Sequence, residues 1–192
     1  MRAALSGGDV ATVLIDPAGR DEAAFQAFAE VLVPLIQAAG AAAIVVDDSR
    51  AAGRVKADGL HLSGGDIEAL GEAVTRLQPR LIVGASGFET RHEALEAGER
   101  MPDYVLFGRF GADADAEPHH KSVALAEWWA EIVELPCIVL GGGELSTLEA
   151  AAETGAEFIA LSRAVFGENV DPAAAVGAAN EAFDAFFERI SR

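Results

Sequence analysis

Short runs rich in Val, Ile and Leu alternate along the chain with longer Ala- and Glu-rich segments, and this alternation limits the fold more than any other feature. The runs cover residues 10–16, 43–47, 59–62, 80–86, 103–109, 136–142 and 157–163. Each is short and almost uniformly apolar, as expected of a strand covered on both faces. The segments between them carry the helical period. Residues 21–39 place Phe25, Phe28, Val31, Leu32, Leu35 and Ile36 at three- and four-residue spacings, which predicts an amphipathic helix. Segments 66–77, 90–99, 122–133 and 146–154 behave similarly, and 172–190 gathers Phe183, Phe186, Phe187 and Ile190 on one face. Gly40, Gly71 and Gly155 fall where helices end or pack closely.

Strand–helix alternation throughout implies a parallel α/β sheet, either open and doubly wound or closed into a barrel. A barrel normally has eight units in roughly 200 or more residues. This chain has 192 residues. Its opening, residues 3–9, reads as the end of a helix entering a strand, which suggests that a first β/α unit is missing. No linker or low-complexity tract interrupts the pattern, so residues 1–192 are expected to form a single domain. The one long irregular stretch is 110–121.

With 31 acidic and 14 basic residues the formal net charge is −17 and no basic cluster is visible, which argues against a nucleic-acid partner. A small anionic substrate remains compatible, provided that a metal, backbone N–H groups or a few Arg neutralise it locally. Cys137 is the only cysteine, so no intramolecular disulfide exists, and its apolar setting predicts a small buried hydrophobe. No apolar run is long enough to span a membrane, and the first eight residues lack the apolar region of a signal peptide. A cytoplasmic location is the expectation.

Function in parallel α/β folds sits at the carboxyl ends of the strands. The turn Gly141-Gly142-Gly143 lets backbone N–H groups approach an anion, and the following run ends in Ser162-Arg163. Paired loops after the last two strands are the common phosphate site of β/α-barrels, although three glycines also simply make a tight turn. Asp47, Asp48 and Asp66 end or follow neighbouring runs, where carboxylates can share a hard cation such as Mg2+. Helix capping is the plainer reading, above all for Asp66. His61 lies near a strand end, as a hydrogen-bonded core group or a substrate contact. His119-His120-Lys121 lacks zinc-site spacing and reads as surface, and His92 as an exposed helical residue. Of Trp128 and Trp129, one should be core and one at a surface, compatible with a homo-oligomer.

The ordered strand ends resemble the thiamine phosphate synthase family. They are Val46-Asp47-Asp48, Gly59-Leu60-His61-Leu62-Ser63 followed by Asp66, Gly84-Ala85-Ser86, Asp103-Tyr104 leading to Phe107-Gly108, Gly141-Gly142-Gly143 and Leu161-Ser162. The match runs from about Val10 to Phe166. The resemblance implies a parallel (β/α)8 TIM-type barrel. It implies an enzyme that joins a hydroxymethylpyrimidine diphosphate to a thiazole phosphate, releasing diphosphate with magnesium. Carried over by position, Asp48 and Asp66 would hold Mg2+, Ser86 would contact the diphosphate and His61 would sit beside the pyrimidine. Gly141, Gly142, Gly143, Ser162 and Arg163 would form the phosphate site.

The chain departs from that family at three places. An Arg-x-Lys at the end of an early strand is replaced by Leu14-Ile15-Asp16-Pro17, with Arg20 the next basic residue. The family's Asn is Asp47, and its Thr-x-Thr-Lys loop is residues 111–115, Gly-Ala-Asp-Ala-Asp. Each change removes a cation or adds an acid where an anion should bind, and such charges are worth several kcal/mol in a sheltered site. Arg109, Lys121 and Arg163 are the candidates to compensate. The losses also leave room for a non-catalytic paralogue that binds a phosphorylated metabolite. A thiazole tautomerase fits less well, because Phe88 stands where that sister family has a His.

Overall fold

The computed structural model describes residues 1–190. In chain order it comprises α1 (Arg2–Leu5), β1 (Thr12–Ile15), α2 (Glu22–Ala38), β2 (Ala42–Val46), α3 (Ser49–Val55), β3 (Gly59–Leu62), α4 (Ile67–Leu77), β4 (Ile82–Ser86), α5 (Arg91–Gly98), β5 (Tyr104–Phe107), α6 (His120–Ile132), β6 (Cys137–Leu140), α7 (Leu148–Ala152), β7 (Phe158–Ala160), α8 (Arg163–Phe166) and α9 (Pro172–Ile190). A 3-10 turn, Leu145–Thr147, leads into α7. The strands are all parallel and pair in sequence order in one curled, TIM-like sheet. β1 pairs only with β2, and β7 only with β6.

Every apolar run predicted as a strand coincides with one; β3 matches its run, β2 is displaced by one residue, and the other five strands are shorter than their runs. The helix α3 was not expected. Its seven residues have no apolar period, and it is held instead by Asp48, whose Oδ1 accepts from the N–H groups of Arg50 and Ala51. Such a cap contributes about 1 kcal/mol, enough to matter in a helix of under two turns. Asp21, Asp66 and Thr90 cap α2, α4 and α5 in the same way.

Alternate strand residues serve two different layers. Val45, Leu60, Val83, Val105, Phe107 and Val139 point outward into the main core beneath the helices, where the fully buried Trp129 meets Phe107 edge-on. Trp128 is half-exposed beneath Arg91. Tyr104, Leu106 and Ile138 form a smaller inner layer with Leu14, Ile82 and Ala160. The inner layer is thin because glycines occupy it at Gly59 and Gly84. Cys137 is buried, as expected. On α9, Phe183 and Phe186 are half-buried but Phe187 is exposed, since it is rotated about 100° from its neighbour. The Ile190 side chain lies outside the described residues.

Candidate active site

One row of the sheet sets the centre of the site. His61 on β3 is in register with Gly84 on β4, which is in register with Tyr104 on β5. A Cβ at Gly84 would lie 2.0 Å from Tyr104 Cζ, so only glycine lets the phenol cross β4 toward His61. Tyr104 Oη lies 2.9 Å from His61 Nδ1, and Ser86 Oγ lies 2.9 Å from His61 Nε2. Phe110 packs edge-on against the imidazole, with ring centroids 5.4 Å apart. His61 and Ser86 are 0% and 1% exposed.

Burial pushes the His61 pKa down to about 4, against a smaller upward pull from Asp47, so the ring is neutral near pH 7. Burial, with the Asp103 charge, pushes the Tyr104 phenol up, so it keeps its proton. Tyr104 Oη has no other hydrogen-bond partner among the described residues. If Nδ1 carried the proton, the buried phenolic hydrogen would have no acceptor, at a penalty of about 1–3 kcal/mol. The hydrogen bonds therefore assign one direction: Tyr104 donates to Nδ1, the Nε2–H donates to Ser86, and the serine hydroxyl hydrogen is left to donate elsewhere. A serine that accepts from imidazole is not an activated nucleophile. The arrangement makes Ser86 a fixed donor.

Ser86 lines a cleft of about 490 Å³ at the carboxyl ends of β3 to β6, within the range of small-molecule sites. Gly141, Arg109, His119 and Lys121 also line it. His119, His120 and Lys121 are exposed, and His119 is the residue before α6. Arg109 pairs with Glu89 at 2.8 Å, both side chains being exposed. The backbones flanking Ser86 and Ser63 are pressed together. Gly65 N–H donates to the Ser86 carbonyl, and a Cβ at Gly87 would meet Gly65 N and Ser63 O at 2.6 Å.

The remaining candidate residues divide. Gly143 and Arg163 line a separate cavity of about 250 Å³, whereas Gly142 and Ser162 line neither. Gly142 is buried against the β5–α6 loop, and a Cβ there would lie 2.0 Å from the Ala116 oxygen. Asp48 and Asp66 line neither cavity. Both are helix caps, as the plainer reading expected, and the second carboxylate oxygen of each makes no hydrogen bond among the described residues. Asp47 is in the left-handed region at φ 58°, and its carboxylate accepts from both the N–H and the hydroxyl of Ser63. An Asn carboxamide has only one oxygen with which to accept. The charge introduced at Asp47 is thus committed to holding the β3–α4 loop. Arg20 stacks over Phe28, 4.1 Å from the ring centroid, and does not line the cleft. His92 is exposed and faces Glu96.

Residues 1–165 match the family model described as thiamine monophosphate synthase. The chain belongs to the thiamine monophosphate synthase family. It is 37% identical over 179 residues to the thiamine-phosphate synthase of Rhodospirillum centenum, covering 92% of this chain and 85% of that protein. It is 34% identical over 192 residues to that of Hyphomonas neptunium, covering 97% and 85%. Among solved structures it resembles a thiamine phosphate pyrophosphorylase from Pyrococcus furiosus, with a TM-score of 0.77, 26% identity and coverage of 96% and 88%. A 3-hexulose-6-phosphate synthase shares the fold at TM-score 0.71 and 22% identity.

Within a thiamine monophosphate synthase family member, the residue that sequence reading left without a role is Tyr104. Its signal was there: in β5 it shares the inward parity of Gly84 and His61 on the neighbouring strands. Residues 111–115 read as a departure that loses a cation, and the burial of Asp113 within them carries no sequence signal.

Proposed function

We propose that this chain is a transferase that condenses a hydroxymethylpyrimidine diphosphate with a thiazole phosphate, giving thiamine phosphate and diphosphate. Family membership with 37% identity to a thiamine-phosphate synthase supplies the reaction class. The observation that carries the reading at the level of chemistry is the Tyr104–His61–Ser86 chain, which presents a hydrogen-bond donor to the cleft without making a nucleophile. This reaction needs that. The C–O bond to diphosphate breaks, the pyrimidine's methylene carries the positive charge, and the thiazole nitrogen forms the C–N bond through its lone pair. No proton must be removed from the nucleophile. The protein's task is to hold two anions in place and stabilise the departing charge.

In this reading Ser86 donates to the diphosphate, and His61 with Tyr104 fixes the direction of that donation. Arg109 and Lys121, which line the same cleft, take over the neutralisation lost with the Arg-x-Lys and the Thr-x-Thr-Lys loop. Asp48 and Asp66 would hold Mg2+. Magnesium is commonly bound by one or two carboxylates with substrate phosphates and water completing its shell. Two helix-capping carboxylates in the loops after the adjacent strands β2 and β3, each with one oxygen uncommitted, fit that pattern, while no group of three or more metal-ligating side chains exists among the described residues. When bound, the ion would neutralise the leaving diphosphate. Gly141, Gly142, Gly143, Ser162 and Arg163 would receive the thiazole phosphate.

The seven strands are read as strands two to eight of an eight-stranded barrel, with residues 1–192 acting as a single domain; the one-sided pairing of β1 and β7 supports this. No helix of the described residues is long and apolar enough to cross a membrane. A turnover assay tests the function directly. The protein, magnesium and the two substrates should yield thiamine phosphate, and a folded protein that forms none overturns the synthase reading in favour of a phosphate-binding paralogue.

A further inference from the structure

The phosphate loops of this chain are already engaged by the chain itself. Asp113, in the β5–α6 loop, is only 6% exposed, and its Oδ2 accepts from the Arg163 N–H at 2.6 Å across fifty residues of sequence. Nearby, the Asp115 carbonyl accepts from the Gly143 N–H at 2.8 Å, and the Ala116 carbonyl accepts from the Glu144 N–H at 3.3 Å. A further bond runs from Thr147 Oγ1 to the Ala116 carbonyl. Backbone donors of both loops, after β6 and after β7, are therefore satisfied by one segment. Carboxylates are rarely buried unless paired, and no Lys, Arg or His lies within ion-pair distance of Asp113 among the described residues. The Arg163 guanidinium makes no ion pair within the described residues either. The buried negative charge rests on a peptide N–H, where an external anion would be received.

We infer that Asp113 is an internal anion seated in the phosphate cradle, and that it sets the chain's affinity for the phosphate of the acceptor substrate. The inference rests on the placement of the thiazole phosphate given above. Two anions cannot share the Arg163 N–H, so an incoming phosphate must lift the 113–116 segment away. Apparent affinity is then the intrinsic affinity reduced by the fraction of molecules with the loop open. The same close approach explains Gly142, where a side chain would strike the Ala116 oxygen.

The test replaces Asp113 with Asn, which keeps an oxygen to accept from Arg163 but removes the charge, and with Ala, which removes the tether. Inorganic phosphate is titrated into wild type and both variants while the amide resonances of Gly143 and Arg163 are followed by NMR. Phosphate should bind both variants at least about tenfold more tightly at those amides, on the scale of a charge-assisted hydrogen bond. In the condensation assay the KM for the thiazole phosphate should fall by a similar factor in both, with the KM for the pyrimidine diphosphate as internal reference. Equal or weaker phosphate binding in both variants, including no response at either amide in any of the three proteins, overturns the inference even if all three make product. Absence of product in all three overturns the synthase reading instead, and the phosphate titration still decides the role of Asp113.

Discussion

The two ends of the candidate site have solved the same problem in opposite ways. At β3–β5, three buried polar side chains satisfy one another in a line and leave a single hydroxyl hydrogen over, at the wall of the cleft. At β6–β7, the N–H groups of Gly143, Glu144 and Arg163 are satisfied by the chain's own β5–α6 loop. The first region is ready for a ligand. The second must be opened before it can accept one. Buried polar groups have to be paired in the ligand-free protein in either case. What differs is whether the pairing is completed by the ligand or has to be broken by it. This difference separates a rigid half of the site from a conditional half, and it can be attacked from both sides.

The largest effect is expected where charge is removed outright. Asp66→Asn keeps the α4 cap, because Asn caps as well as Asp, but halves the proposed pair of magnesium carboxylates. Turnover should fall roughly a hundredfold or more, with little change in melting temperature. Asp66→Ala should lose activity comparably and also about 1 kcal/mol of stability. Full activity in Asp66→Asn, with the same response to magnesium removal by a chelator, would reduce Asp66 to a helix cap.

Next comes the donor itself. Ser86→Ala removes the hydroxyl proposed to stabilise the leaving diphosphate and should lower kcat roughly a hundredfold, the usual scale for one oxyanion donor. Tyr104→Phe acts at one remove. Nδ1 of His61 loses its donor, so the imidazole can take the other tautomer and the Ser86 hydroxyl can turn back toward Nε2. A roughly tenfold loss in kcat is expected, with KM nearly unchanged, because the donor remains but is no longer aimed. A fall in stability alone, with kcat intact, would make Tyr104 a packing residue and dissolve the contrast between a preset and a conditional half.

The architecture was largely legible in the sequence, because short two-sided apolar runs and 3.6-period segments are dictated by the layer each element must fill. α3 was not, since a helix held by Asp48 and tertiary contact carries no periodic signal. The candidate site was legible at the strand ends and illegible in the loops. His61, Gly84 and Tyr104 lie on separate strands, and register alone turns them into one row. Asp47 looked like a charge opposed to substrate, whereas Ser63 consumes it. Asp113 stood in the sequence only as part of the loop that replaces Thr-x-Thr-Lys, and only the fold shows its carboxylate turned inward onto the Arg163 N–H.

The neutral imidazole gives the rigid half a pH signature. Burial holds His61 at a pKa of about 4 in the folded chain, below the ordinary histidine value of 6.5, so the unfolded chain binds the extra proton first as pH falls. Its contribution to stability is complete above about pH 6.5 and is lost as pH falls from there through about 4. The full loss is roughly 3 kcal/mol. In His61→Gln, denaturation midpoints between pH 7 and pH 4 should fall less steeply than in wild type. An identical slope would mean that His61 is not buried as a neutral ring.

The smallest effect lies at the rim. Arg109 is held by Glu89 in an exposed pair, and such pairs contribute about 0–1 kcal/mol, so the guanidinium is restrained only weakly. Glu89→Gln removes an acid from the cleft lining and releases Arg109 toward it. The KM for the pyrimidine diphosphate should fall by about two- to fivefold, and the gain should shrink at high salt, because the rim is screened by solvent ions. The KM for the thiazole phosphate should hardly move, since Gly143 and Arg163 line the separate cavity of the other half. A parallel change in both constants would mean that the two anions share one electrostatic field, and that the division of the site into a ready half and a closed half is only geometric.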